Sequence, residues 1–108
     1  MPLYMAQFAY TPQGWAALTT KPENREEASR ALVQKLGGRL ISVYHCFGEY
    51  DGVAIYEAPD DTTAAAVALA AVSPGHLKAT KTTTLMTTEQ MMEAMRKAGA
   101  QMYRAPGQ

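Results

Sequence analysis

The sequence predicts an α+β fold in which strands and helices follow one another as β-α-β-β-α-β, with one further helix at the C-terminus. Three observations predict it. Segments rich in β-branched and aromatic residues alternate with segments of helical apolar spacing. Gly, Pro, Asp or Thr punctuates the boundaries between them. Two strand-like segments flank the Gly48–Gly52 loop with no helix between them, which reads as an antiparallel hairpin. At 108 residues the chain is expected to be one domain over residues 1–108. Its core runs over 3–86, its last helix over about 87–98, and a flexible polar tail over 100–108.

Leu3 to Tyr10 mixes aromatic and apolar residues without a breaker and reads as the first strand, ended by Thr11-Pro12-Gln13-Gly14. A helical stretch follows and is interrupted near Thr19-Thr20-Lys21-Pro22. Pro22 fits the first turn of a new helix, where its missing N–H is harmless. Ala28, Leu32 and Leu36 then recur every fourth residue as one apolar stripe, with Glu26 and Arg30 paired on the wet side. Gly37-Gly38 stops that helix.

Arg39 to Phe47 and Gly52 to Tyr56 form the hairpin. Pro59-Asp60-Asp61 opens the next helix, with Asp60 or Asp61 as its cap. Ala64 to Val72 is apolar nearly all round, as expected of a helix that is buried or touches a second subunit. Leu77 to Met86 alternates and is threonine-rich, hence a strand. Thr87 with Gln90 has the form of a capping box for the last helix, whose stripe is Met91, Met92, Met95 and Ala98.

This order is that of the ferredoxin-like split βαβ fold. Both core helices lie on one face of such a sheet, so the opposite face needs a cover. One parity of the strands carries Tyr4, Phe8, Tyr10, Leu40, Tyr44, Cys46 and Tyr56. The other carries Leu3, Met5, Ile41, Val43, Phe47, Val53 and Ile55. The aliphatic set is expected under the helices and the aromatic set on the open face. A second copy, sheet against sheet, then supplies the cover, giving a two-fold homodimer or a higher oligomer.

Composition excludes several classes. Ten basic and ten acidic residues give a formal net charge of zero. No basic stripe is present, so nucleic acid is not an expected partner. Near-neutrality also lowers the repulsion that opposes self-association. The single cysteine, Cys46, rules out an internal disulfide and multi-cysteine metal sites and fits a reducing cytoplasm. The Met1-Pro2-Leu3-Tyr4 start lacks a basic region and a long apolar run, so no secretory signal is expected. The apolar segment Thr62 to Val72 is too short to span a bilayer, so no membrane partner is expected.

The chain also resembles the GYD domain family, small bacterial and archaeal proteins of the dimeric α+β barrel group. The resemblance rests on Tyr10-Thr11 and Gly14, then Leu36-Gly37-Gly38, then Gly48-Glu49-Tyr50-Asp51 with Val53, and Glu57-Ala58-Pro59-Asp60-Asp61. It covers residues 3 to about 86. Glu49 separates Gly48 from Tyr50-Asp51, so the naming tripeptide is interrupted here. The resemblance implies the fold and the dimer. The wider barrel group includes cofactor-independent oxygenases, haem-degrading enzymes and small-ligand binders.

The candidate chemistry centres on the hairpin. Asp51 either pins the Tyr50-Asp51-Gly52 turn or offers a carboxylate at a barrel mouth, with Tyr50 as donor. His45 and Cys46 are neighbours on a strand and point to opposite faces, so they cannot form a nucleophile–base pair. His45 is either a base titrating near neutrality or a satisfied histidine at the sheet end. His76, after Pro74-Gly75, is expected on a solvent loop. Trp15 is either core or pocket wall. The methionines of the last helix lack the cysteine or histidine that would point to a metal.

The expected role is a small cytoplasmic ligand-binding or accessory protein, taking a small aromatic ligand in a pocket between sheet and helices. Tyr4, Trp15, Tyr44, Tyr50 and Tyr56 are the candidate ligand-binding residues, and His45 and Asp51 the candidate catalytic ones. No metal and no cofactor is expected; haem on His76 or His45 is the one special case. Two rivals stand beside this reading. One is a cofactor-independent oxygenase or isomerase acting on a small aromatic or quinone-like substrate, with His45 or Asp51 as base and tyrosines holding an oxyanion. The other is a purely structural oligomerisation module.

Overall fold

The computed structural model describes residues 1–108. Its elements are β1 (Leu3–Tyr10), α1 (Pro12–Thr20), α2 (Arg25–Lys35), β2 (Arg39–His45), β3 (Gly52–Glu57), α3 (Asp61–Val72), β4 (Leu77–Leu85) and α4 (Thr88–Gly99). The four strands form one sheet in the order β2-β3-β1-β4, antiparallel at every seam. This is the ferredoxin-like arrangement, extended by α4.

The helix boundaries follow their caps. The Thr11 hydroxyl accepts the Gly14 N–H, and Pro12 occupies the first turn of α1, where no N–H is needed. Thr11-Pro12-Gln13-Gly14 therefore starts a helix as well as ending a strand. The α2 helix begins at Arg25, capped by the Asn24 side chain on the Glu27 N–H, so Pro22 lies in the linker before it. A side-chain cap outweighs a proline that is merely tolerated. Asp60 caps α3 through the Thr63 N–H at 2.8 Å. Hydrogen bonds from the Thr63 hydroxyl and N–H hold the Asp60 carboxyl below its usual range. Thr87 and Gln90 complete the capping box of α4. Gly37 ends α2 at a φ of 87°, a conformation that favours glycine.

On β1, on β3 and at Leu40 the two faces of the sheet are the reverse of the sequence expectation. Tyr4, Tyr56, Leu40 and Ala54 are buried beneath the helices with Val33, Ala64 and Val67. Leu3, Met5, Val53 and Ile55 lie on the open face, only half-buried. The reason is complementarity of size. The inner face of α3 offers Ala64 and Val67, so long rings must rise from the sheet to fill the gap. Tyr4 and Tyr56 do so, stacked with ring centroids 5.6 Å apart.

The second half of β2 keeps the expected faces because of a bulge. The register slips between Leu40 and Ser42, leaving Ile41 as an extra residue. Beyond this bulge every side chain changes face. Val43 and His45 therefore join Leu40 on the helix side, and Tyr44 turns to the open face, where it is 68% exposed. Val43, His45 and Tyr44 thus face as the sequence reading expected, whereas Leu40, before the bulge, does not.

The α4 helix packs on nothing in the chain. Every residue from Met86 to Gln108 is exposed, including the Met91, Met92 and Met95 stripe. The particle is accordingly elongated, 60 × 33 × 21 Å. Its radius of gyration is 17.6 Å, where a compact chain of this length would have about 13 Å. No helix is long and apolar enough to cross a membrane.

Candidate functional site

The Tyr50-Asp51-Gly52 turn joins three elements. One Asp51 carboxylate oxygen accepts the backbone N–H of Tyr10 at 2.9 Å and the Trp15 indole N–H at 3.3 Å. The Asp51 N–H donates to the Phe8 carbonyl, and the Asp51 carbonyl accepts from the Cys46 N–H. The β1–β4 register shifts between Ala9 and Tyr10, and the Tyr10 N–H finds its acceptor in Asp51 rather than across a regular ladder. Gly52 is required by the same junction. A Cβ there would stand 2.3 Å from the Phe8 ring.

Around this junction Tyr10 packs edge-on against Trp15 at 5.0 Å and beside His76 at 6.0 Å. His76 is half-buried rather than loose in solvent, because its carbonyl accepts the Thr11 N–H at 2.9 Å and fixes the loop before β4. Burial, and then the nearby Arg25 cation, push its pKa below the ordinary imidazole value. Burial raises the Tyr10 phenol above its ordinary pKa, with Arg25 opposing.

Between the sheet and helices α2 and α3 lies a cavity of about 180 Å³, lined mainly by apolar side chains. The middle of the sheet makes room for it, because Ala6 is paired with Ala54 there, between the Tyr4–Tyr56 and Phe8–Gly52 pairs. Tyr56 stands at one end of the hollow. Its hydroxyl is buried without a hydrogen-bond partner, and burial raises its pKa. Its stacked neighbour Tyr4 is satisfied, donating to Asp61 at 2.7 Å; that bond, then burial, pushes the Tyr4 pKa up to about 12. His45, His76, Tyr10 and Arg25 stand toward the other end.

Of the residues singled out in the sequence, the structure brings His45, His76 and Tyr56 to the cavity. Tyr4 lies buried behind Tyr56. Trp15 and Asp51 meet each other at the strand ends, outside the hollow, and half-buried Tyr50 sits beside them in the turn. Tyr44 is on the opposite face. Arg25 and the alanines of the hollow escaped the sequence reading, and Phe8 was expected on the other face. The signal for them was the pairing of an alanine-rich sheet centre with alanine-rich helices, legible only once β1 and β3 are placed in register. No three His, Cys, Asp or Glu side chains converge.

This geometry defines a ferredoxin-like domain of the class found in the dimeric α+β barrel group. MtbAldR has the same fold, with a TM-score of 0.57 at 12% identity over 80% of this chain and 53% of that one. This chain thus spans about half of MtbAldR. TTHA0845 of Thermus thermophilus superposes with a TM-score of 0.52 at 17% identity, covering 82% of this chain and 96% of that one. Residues 4–95 match the GYD domain, and the chain belongs to that family. A relative in Thermus thermophilus is 32% identical over 78 residues, which is 72% of this chain and 82% of the relative. It is named glutamine synthetase and cystathionine beta-lyase binding protein.

Proposed function

We propose that this GYD domain is a homodimeric cytoplasmic accessory protein that pairs through its open sheet face and docks on other proteins. The observation that carries the reading is the uncovered aliphatic surface of the sheet. Leu3, Met5, Val53 and Ile55 form a contiguous patch, with Met5 directly opposite Ile55 across the β1–β3 seam, and Ile41 and Tyr44 extend it at 45% and 68% exposure. A patch of this kind on a small monomer marks an interface, and the same patch on a second copy would cover it about a two-fold axis. The chain's lack of net charge leaves little repulsion against pairing. Exposed Leu69 lies on α3, on the helix side of the sheet, and remains for a different partner, as does the exposed methionine stripe of α4. The binding of two enzymes by the Thermus relative, as its name states, supports a protein partner here. Cys46 is free and exposed, in keeping with a reducing compartment.

The enzymatic rival has less to stand on. Asp51 already accepts two hydrogen bonds, and no carboxylate pairs with His45. Small-ligand binding is compatible with the accessory role, because the hollow and the open face lie on opposite sides of the sheet. Sedimentation at low micromolar concentration tests the pairing. Twice the 11.7 kDa chain mass is expected, and Ile55→Asp, which places a charge at the centre of the face, should give a folded monomer. A well-folded wild-type monomer would end the proposal.

A further inference from the structure

We infer that the hollow between the sheet and helices α2 and α3 binds a neutral molecule of single-ring size that presents a carbonyl oxygen to the Tyr56 hydroxyl. This goes beyond the pairing and does not depend on it. Space sets the size of the ligand. The Ala6–Ala54 pair at the sheet centre and Ala28, Ala68 and Ala71 above it withhold the side-chain volume that would fill the layer. The resulting 180 Å³ compares with the roughly 150 Å³ that suffices for benzene in a hydrocarbon-lined cavity. One ring with a small substituent fits.

Polarity narrows the class. No carboxylate lines the hollow. Its single guanidinium, Arg25, is engaged by Glu23 at 3.0 Å. Burial lowers the His76 pKa and so favours its uncharged form. A charged ligand would lose its hydration in a mainly apolar hollow whose one guanidinium is already paired, so a neutral one is favoured. Tyr56 then supplies direction. It is 1% exposed and is the one buried side chain whose polar atom lacks a partner, and it lines this hollow. Burial keeps the phenol protonated, so it seeks an acceptor. A carbonyl oxygen meets that need without bringing a charge.

The test uses the full chain and three probes of similar size: acetophenone, its oxygen-free analogue cumene, and benzoate. Dissociation constants come from calorimetry, with amide chemical shifts locating the site. Wild-type protein should bind acetophenone, shift amides along β1 and β3, and bind benzoate more weakly. The preference for acetophenone over cumene should fall about tenfold in Tyr56→Phe, the usual worth of one buried hydrogen bond denied its partner. Tyr56→Phe should also melt at a higher temperature than the unliganded parent, since it removes an unpaired buried hydroxyl. Ala54→Leu should fill the hollow and abolish binding of both neutral probes while the circular dichroism spectrum is retained. The inference is overturned if wild type does not bind acetophenone, if Tyr56→Phe keeps the preference or is destabilised, if benzoate binds most tightly, or if binding survives Ala54→Leu. Sedimentation of the same samples reports pairing separately, so failure of one proposal is visible apart from the other.

Discussion

Replacing Asp51 with alanine should destabilise the protein by about 1–3 kcal/mol, the usual cost of stranding one buried polar group. The amide at stake belongs to Tyr10, which is 5% exposed and donates to the Asp51 carboxylate at 2.9 Å. With the carboxylate gone, that N–H has neither a protein acceptor nor ready access to water. Loss of the second bond adds little, because Trp15 is 42% exposed and its indole N–H can turn to solvent. Asp51→Asn retains an acceptor oxygen and forfeits only charge assistance, so its cost should be about half that of alanine. Urea unfolding followed by tryptophan fluorescence reads both. With a urea dependence near the low end of the usual ~1–3 kcal/mol per molar, the alanine variant should lose roughly 1–3 M from its midpoint. Its melting temperature should fall by about 5–15 °C. If Asp51→Ala unfolds at the wild-type midpoint, the carboxylate is not a structural pin, and the case for it as a base at the barrel mouth revives.

Three further outcomes are expected. Gly52→Ala should cost about 1–3 kcal/mol, because the new methyl meets the Phe8 ring at 2.3 Å and the ring must shift. Gly38→Ala should cost more, since the obstacle at 2.2 Å is the Glu57 carbonyl of the backbone; thermal melts of the pair check the ranking. At alkaline pH, the Tyr4 contribution should be complete below the ordinary phenol pKa of about 10 and be lost as pH rises through the folded value of about 12. Ultraviolet titration should show delayed tyrosine ionisation, and Tyr4→Phe should remove part of the alkaline sensitivity. On the acid side, the depressed pKa of His76 makes its contribution complete above the ordinary value of about 6.5 and diminishing as pH falls through the lower folded one. His76→Gln should flatten that part of the stability curve, and an imidazole titration by NMR should place its midpoint below that of a free histidine.

The element order was legible because each boundary carries its own chemistry. Asp60 before Thr63, Thr87 before Gln90 and the Gly37-Gly38 stop act on neighbours within one turn, so the sequence shows cap and partner together. Asn24 was equally local, and its precedence over Pro22 was there to be weighed. The family resemblance rests on the same kind of feature, since Gly48 and Asp51 sit in a loop whose shape their residue types permit.

The sequence by itself thus determined which segments are strands and helices, their order, and the presence of a sheet with one face left open by the helices. Which face that is was decided only in three dimensions. The bulge at Ile41 inverts the second half of β2, and no property of Ile41 alone announces it. The choice between rings and aliphatics beneath the helices depended on the small side chains of α3, far from Tyr4 in sequence and brought over it by the fold. The hollow has the same origin: Ala6 and Ala54 are ordinary in sequence and leave a space only because the register sets them side by side. Periodicity fixes how residues alternate along one strand, whereas a core is filled by volumes that meet from several elements at once.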